Sequence, residues 1–160
     1  MVIGYKCFNK GLVTNYGDVL EVGKEYTSRN NPKFGHSGFH FCQNMEDTFR
    51  YFDCFNSEVE VCIVEGFGEI ERYDDEYNEY FDMYCSEKIK IFQKLSREEI
   101  IYQGLNLDAL RAERFVSTFG LTKEEIKLFK ERFFYSSRVL NAISYYQEND
   151  KEVYKRVLDK

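Results

Sequence analysis

The sequence has no tryptophan, one proline (Pro32) and two histidines (His36 and His40) among 160 residues. A single proline rules out a Pro-rich linker, and two histidines leave most acid–base and metal-ligand templates short of material. No apolar run approaches the roughly 20 residues of a membrane-spanning helix, and no basic start followed by an apolar stretch marks a signal peptide. The expectation is a soluble, cytoplasmic protein with no membrane partner. Also missing are a Gly-x-x-x-x-Gly-Lys phosphate loop, a Gly-x-Gly-x-x-Gly fingerprint, a Gly-x-Ser-x-Gly elbow, a His-Glu-x-x-His pair and an Asp-rich calcium loop. These are the motifs a sequence displays most openly, so the chain more readily fits a non-enzyme that needs no cofactor.

The five cysteines, Cys7, Cys42, Cys54, Cys62 and Cys85, are odd in number and widely spaced. That pattern suits reduced, buried thiols rather than a disulfide framework. The formal net charge is -6, which disfavours direct binding of nucleic acid phosphates. The acidity is local: residues 56–95 carry 11 acidic and 4 basic side chains.

What is present is aromatic weight, with 13 tyrosines and 15 phenylalanines. Residues 2–8, a short piece at Tyr26, residues 39–42, residues 58–64, residues 69–73 and the stretch holding Ile89, Ile91 and Phe92 read as strands. Gly66 and Gly68 permit a bend or bulge between two of these. Asn44 is placed to cap a helix whose apolar face is Met45, Thr48, Phe49 and Phe52. From Ser96 the texture becomes helical. Ser96-Arg97-Glu98-Glu99 and Thr122-Lys123-Glu124-Glu125 both match a capping box. Further helical stripes run through Leu107 to Phe119, Val139 to Tyr146, and Val153 to Val157. Strands with one helix, followed by helices alone, give an α+β fold with an antiparallel or mixed sheet. Residues 1–95 form the α+β domain, and residues 96–160 a helical region packed on it or a small appendage.

Three constellations could carry function. The segment from Tyr73 to Tyr84, with Tyr73, Asp74, Asp75, Glu76, Tyr77, Glu79 and Tyr80 as its candidate partner-binding residues, combines carboxylates with tyrosines. Tyrosine supplies contact area at low entropic cost and carboxylates complement a basic partner; the plainer reading is a solvated hairpin loop. His36, His40 and Cys42, with Cys54 a possible fourth, are zinc-type ligands by chemistry, although their spacing matches no zinc signature. The plainer reading is a core histidine beside an inert thiol. His40 could equally serve as the base of a Cys42 nucleophile, since strand alternation puts both on one face. Glu58 and Glu60 share a face in the same way, as a paired-carboxylate site or an ordinary wet sheet face would require.

Gly4-Tyr5-Lys6-Cys7-Phe8, Val22-Gly23-Lys24-Glu25-Tyr26, Ser37-Gly38-Phe39-His40-Phe41-Cys42 and Lys88-Ile89-Lys90-Ile91 resemble an uncharacterised family seen in phages, prophages and large DNA viruses. The resemblance spans about residues 4–101 and implies a phage- or virus-linked context, with no activity attached. More loosely, Gly38-Phe39 followed by Thr48 and Tyr51 is similar to the nicotinamide-site segment of ADP-ribosyltransferases. That likeness implies NAD as substrate, Phe39, Thr48 and Tyr51 at the site, and Glu60 or Glu65 as the catalytic glutamate. The chain departs from it in lacking a His-Gly or Arg start on the first strand and in having Phe39 where a tyrosine is usual. The leading expectation is a non-catalytic module that binds a host or viral protein with a basic surface, such as a host defence nuclease. The second is the NAD-using enzyme, and the third a small metal-stabilised domain.

Overall fold

The computed structural model describes residues 1–55, 57–73 and 82–148, and the chain divides into two compact units. The first comprises Met1–Thr48 and Val59–Leu95; the second comprises Phe49–Glu58 and the chain from Ser96 onward. Leu95 ends the last segment of the first unit and Ser96 begins the main segment of the second, to which residues 49–58 also belong.

The first unit is a small antiparallel barrel. Strand β1 (Val2–Asn9) pairs along its length with β4 (Val59–Arg72), which pairs with β5 (Met83–Lys94). Strand β3 (Phe39–Cys42) pairs with β5 and, through Tyr5 opposite Cys42, with β1, closing the ring. The short β2 (Glu25–Thr27) lies along the remaining length of β5. Closure needs the two long strands to curl. Register shifts fall between Ile63 and Val64 and between Phe67 and Ile70, where Gly68 takes φ +76°. An extra residue in one strand bends it and sharpens its twist, and glycine alone takes that backbone angle without strain.

Alternation then fills the interior. Phe8, Leu12, Leu20, Phe41, Cys62, Val64, Ile89 and Ile91 form the barrel core, with Val2, Tyr26, Phe39 and Tyr84 packed against it. Phe41 sits where any side chain on Gly4 or Gly66 would be: a Cβ on Gly66 would lie 2.4 Å from two carbons of its ring. On β5 only Ile89 and Ile91 of the expected apolar set are buried. Phe92 is exposed, with the Lys90 ammonium over its ring, because period-two alternation turns it outward.

The expected helix over residues 45–52 is shorter than its pattern. Helix α1 (Met45–Thr48) gives way to a 3₁₀ turn, Phe49–Tyr51. The Phe49 ring lies 5.7 Å from Phe115 and 4.9 Å from Phe119, so the chain tightens where its side chain joins the second unit's core.

In that second unit, helices α2 (Arg97–Leu105), α3 (Ala109–Thr118), α4 (Lys123–Arg132) and α5 (Ser137–Ala142) are each capped by a side chain: Ser96, Asp108, Thr122 and Ser136. The boxes at Ser96 and Thr122 are complete, with Glu99 and Glu125 returning to the cap N–H groups. Phe115, Phe129 and Phe133 stack in series. Gly104 leaves the room beneath them, since a Cβ there would meet the Phe115 and Phe129 rings at 2.9 Å. Residues Ile143–Glu148 continue α5 as a π-helical turn. Its buried Gln147 donates to the Val116 and Phe119 carbonyls at 2.6 and 2.8 Å and accepts from the Leu121 N–H at 3.0 Å. One amide thereby satisfies the end of α3 and the start of the next connection. The stripe through Val153 lies outside the described residues.

Candidate functional site

The most structured surface feature of the barrel is the neck of the β4–β5 hairpin with the loop laid against it. At the neck, Arg72 lies opposite Tyr84, and the Tyr73 N–H donates to the Met83 carbonyl at 2.8 Å. The Arg72 guanidinium reaches the Asp82 carboxylate through two nitrogens, Nε at 3.1 Å. This fork holds the strand ends on either side of the acidic, tyrosine-rich segment. Of the residues expected to bind a partner, Tyr73 is the last described before that segment. Asp74, Asp75, Glu76, Tyr77, Glu79 and Tyr80 lie outside the described residues.

The loop is a tight turn, closed by the bridge between Lys33 and Ser37, with Gly35 at φ +73°. Its tip is fastened to the sheet by consecutive backbone donors. The Phe34 N–H donates to Glu71 Oε2 at 3.0 Å and the Gly35 N–H to His40 Nε2 at 3.2 Å. The Cys85 thiol holds the far side, donating to the Ser37 carbonyl at 3.0 Å. Between these points the Phe34 ring makes edge contacts with His40 at 5.5 Å and with Tyr73 at 5.2 Å. Gly38, at φ +88°, lets the chain re-enter β3 where a side chain would strike Cys85.

This arrangement accounts for the candidate metal ligands. His40 accepts through Nε2, so this nitrogen serves the loop. Burial and then the Lys6 ammonium hold its pKa below the usual value, against the pull of Glu71. His36 lies in the turn itself, its N–H donating to the Lys33 carbonyl. Among the described residues no group of three or more His, Cys, Asp or Glu side chains is disposed to hold a metal ion, so His36, His40 and Cys42 do not come together as a ligand set. All five cysteines are buried and none forms a disulfide. Burial pushes the thiols of Cys62 and Cys85 up to about 12 and about 11, well into the unreactive range.

Each residue aligned with an ADP-ribosyltransferase site has its own surroundings. Phe39 packs against the barrel core. Thr48 is buried and donates to the Met45 carbonyl. Tyr51 is exposed and belongs to the helical unit. Glu60 accepts from the Leu12 N–H at 2.8 Å and from Lys94 at 3.0 Å. Burial pushes its carboxyl up, but these donors more than offset that and hold it below the usual range. Glu65 lies on the other face of β4, opposite Ile3 and Lys90. Glu58 precedes the strand, is exposed and lies in the helical unit.

Sequence reasoning missed Phe34, Glu71 and Arg72 at the neck, and Lys6 inside the barrel; Asp82 was read only as part of the acidic segment. The partly buried Lys6 donates to the His40 carbonyl at 2.6 Å and lies over the Phe8 ring. Burial lowers its pKa to about 8, while the thiols of Cys42, Cys7 and Cys85 act in the opposite sense. An aromatic residue inside the Asn-Pro-Gly-rich stretch of residues 30–38 was the one available signal for Phe34.

A family model describing a domain of unknown function (DUF7666) matches residues 2–103, well over half of the chain. The chain belongs to the DUF7666 family. The matched DUF7666 region takes in every strand of the barrel, the loop and the hairpin neck. No curated protein and no solved structure matches the chain.

Proposed function

We propose that this DUF7666 protein is a non-catalytic, cytoplasmic binding module that uses the β4–β5 hairpin to engage a protein with a basic surface. The observation that carries the reading is the neck. The Arg72–Asp82 fork, the Tyr73–Met83 hydrogen bond and the Phe34 buttress on Tyr73 together brace the two ends of a segment containing Asp74, Asp75, Glu76 and Glu79. A braced presentation lowers the entropy lost on binding, and carboxylates interleaved with tyrosines supply charge complementarity and contact area. Support also comes from the residues with catalytic chemistry, since Glu60, Thr48 and His40 are committed to holding backbone groups. The resemblance to proteins of phages and large DNA viruses suggests the setting. There, a basic groove such as that of a host defence nuclease is the partner that fits.

The test is capture of such a basic partner by the wild-type chain and by a variant carrying Asp74→Asn, Asp75→Asn, Glu76→Gln and Glu79→Gln. The variant should keep its melting temperature and bind at least about tenfold more weakly, a loss of about 1.4 kcal/mol. Capture by the wild type should also fall steeply with added salt. Equal capture by the two chains, or consumption of NAD by the purified wild type, would overturn the reading.

A further inference from the structure

We propose that His40 is an acid-released latch: protonation of its imidazole frees the turn between Lys33 and Ser37 from the sheet and removes the Phe34 buttress from Tyr73. As a means of regulating partner capture, the latch rests on the function proposed above; as a conformational device it does not.

Two successive N–H groups at the tip of the turn point at the sheet, one onto the Glu71 carboxylate and one onto His40 Nε2. A neutral imidazole can accept the Gly35 N–H because its other nitrogen carries the proton. The imidazolium has no acceptor left, so two N–H groups would face each other and the Gly35 bond must break. Among the described residues His40 is the acceptor of that N–H, because the bridge that closes the turn uses the backbone of Lys33 and Ser37. The charged and titratable groups around the ring come from each strand against it: Lys6 from β1, Glu71 from β4 and Cys85 from β5. Lys6 opposes a second positive charge and Glu71 favours it. The balance lies with the neutral form, since burial acts in the same direction as Lys6. The latch is therefore closed at neutral pH and opens as the pH falls past the ordinary histidine range of about 6.5.

Phe34 converts this local event into a change at the neck. Its ring touches both His40 and Tyr73, and release of Gly35 removes one of the three hydrogen bonds described between the turn and the sheet, leaving the Phe34–Glu71 bond and the thiol of Cys85.

Hydrogen exchange of the Phe34 and Gly35 amides, corrected for the intrinsic effect of pH, tests this between about pH 7.5 and about pH 5. Protection in the wild type should fall at least about tenfold over that range, and His40→Gln, whose amide oxygen can accept the same N–H at any pH, should remain protected throughout. His40→Ala should be unprotected at both ends. Wild-type protection that does not change with pH, or a His40→Gln chain that loses protection in acid as the wild type does, would overturn the latch. Capture of the basic partner should follow the same pH profile in the wild type and become independent of pH in His40→Gln. Acid-dependent exchange in a chain that captures no basic partner at any pH would confirm the latch while removing the binding function from it.

Discussion

The barrel and the helical unit both bury phenylalanine, and each makes room for it with glycine in a different way. The barrel has one ring, Phe41, inserted between Gly4 and Gly66 on neighbouring strands, inside a wall that also carries Lys6, Glu60 and Cys62. The helical unit assembles a chain of rings, Phe49, Phe119, Phe115, Phe129 and Phe133, over the gap left by Gly104. A sheet closed on itself has little volume, so Phe41 and Phe8 share it with aliphatic side chains such as Val64, Ile89 and Ile91. Helices held by four side-chain caps leave a wider seam in which aromatic faces and edges meet. The first solution makes stability sensitive to pH; the second makes it sensitive to the loss of a ring.

The largest loss of stability is expected in the helical unit. Phe129 is fully buried and stacks on both Phe115 and Phe133. Phe129→Ala should cost about 3–5 kcal/mol, read as a fall in the thermal midpoint of the helical circular-dichroism signal. A loss below about 1 kcal/mol would mean that the rings do not act as one core. In the barrel, Gly66→Ala places a methyl against Phe41 and should cost about 1–3 kcal/mol by denaturant titration, because the ring must leave its seat. If that variant were as stable as the wild type, the barrel would not be tightly closed around Phe41.

The smaller effects separate the barrel's ionisable groups. The Lys6 amine falls from 10.5 to about 8 in the folded chain, so the unfolded chain holds the proton more firmly and folding at neutral pH works against it. Stability should rise as the pH climbs from about 8 toward 10.5. Lys6→Met should lack that rise and be more stable than the wild type by about 1–2 kcal/mol at neutral pH, after the lost bond to the His40 carbonyl is allowed for. Equal or lower stability of Lys6→Met would show that the amine is better solvated than its surroundings suggest. The thiols of Cys62 and Cys85 act with the opposite sign, since their raised pKa values favour the folded state below 9.0 and lose that contribution as the thiols ionise. The difference between the two chains across this range therefore isolates the lysine. In the native state neither thiol should react with iodoacetamide.

Legibility from sequence followed the range of the interactions. Capping boxes are local, and Ser96-x-x-Glu99 and Thr122-x-x-Glu125 are complete in the structure. Strand alternation located β1, β3, β4 and β5, because a half-buried strand writes its two faces directly into the chain. What did not show was anything decided by a partner far away in sequence. The helix expected over residues 45–52 is cut short by Phe49, whose partners lie more than 60 positions further on. His40 and Cys42 do share a strand, but the acceptor role of His40 comes from a turn folding back onto it. Glu60 looked like either a wet residue or a catalytic one; it is a clasp for Leu12, which takes φ +55° where glycine is usual.

Gln147 has a consequence for how this chain can change over evolutionary time. Its amide reaches the carbonyls of Val116 and Phe119 because the turn over Ile143–Glu148 accommodates one more residue than an α-helix would. Loss of a single residue between Ser137 and Gln147 would turn the amide by about 100° around the helix axis and leave all three of its backbone partners unsatisfied. In this stretch the number of residues is constrained as tightly as their identity. Relatives that keep a glutamine here should keep the spacing from Ser136 unchanged, and those that lose a residue should lose the glutamine with it.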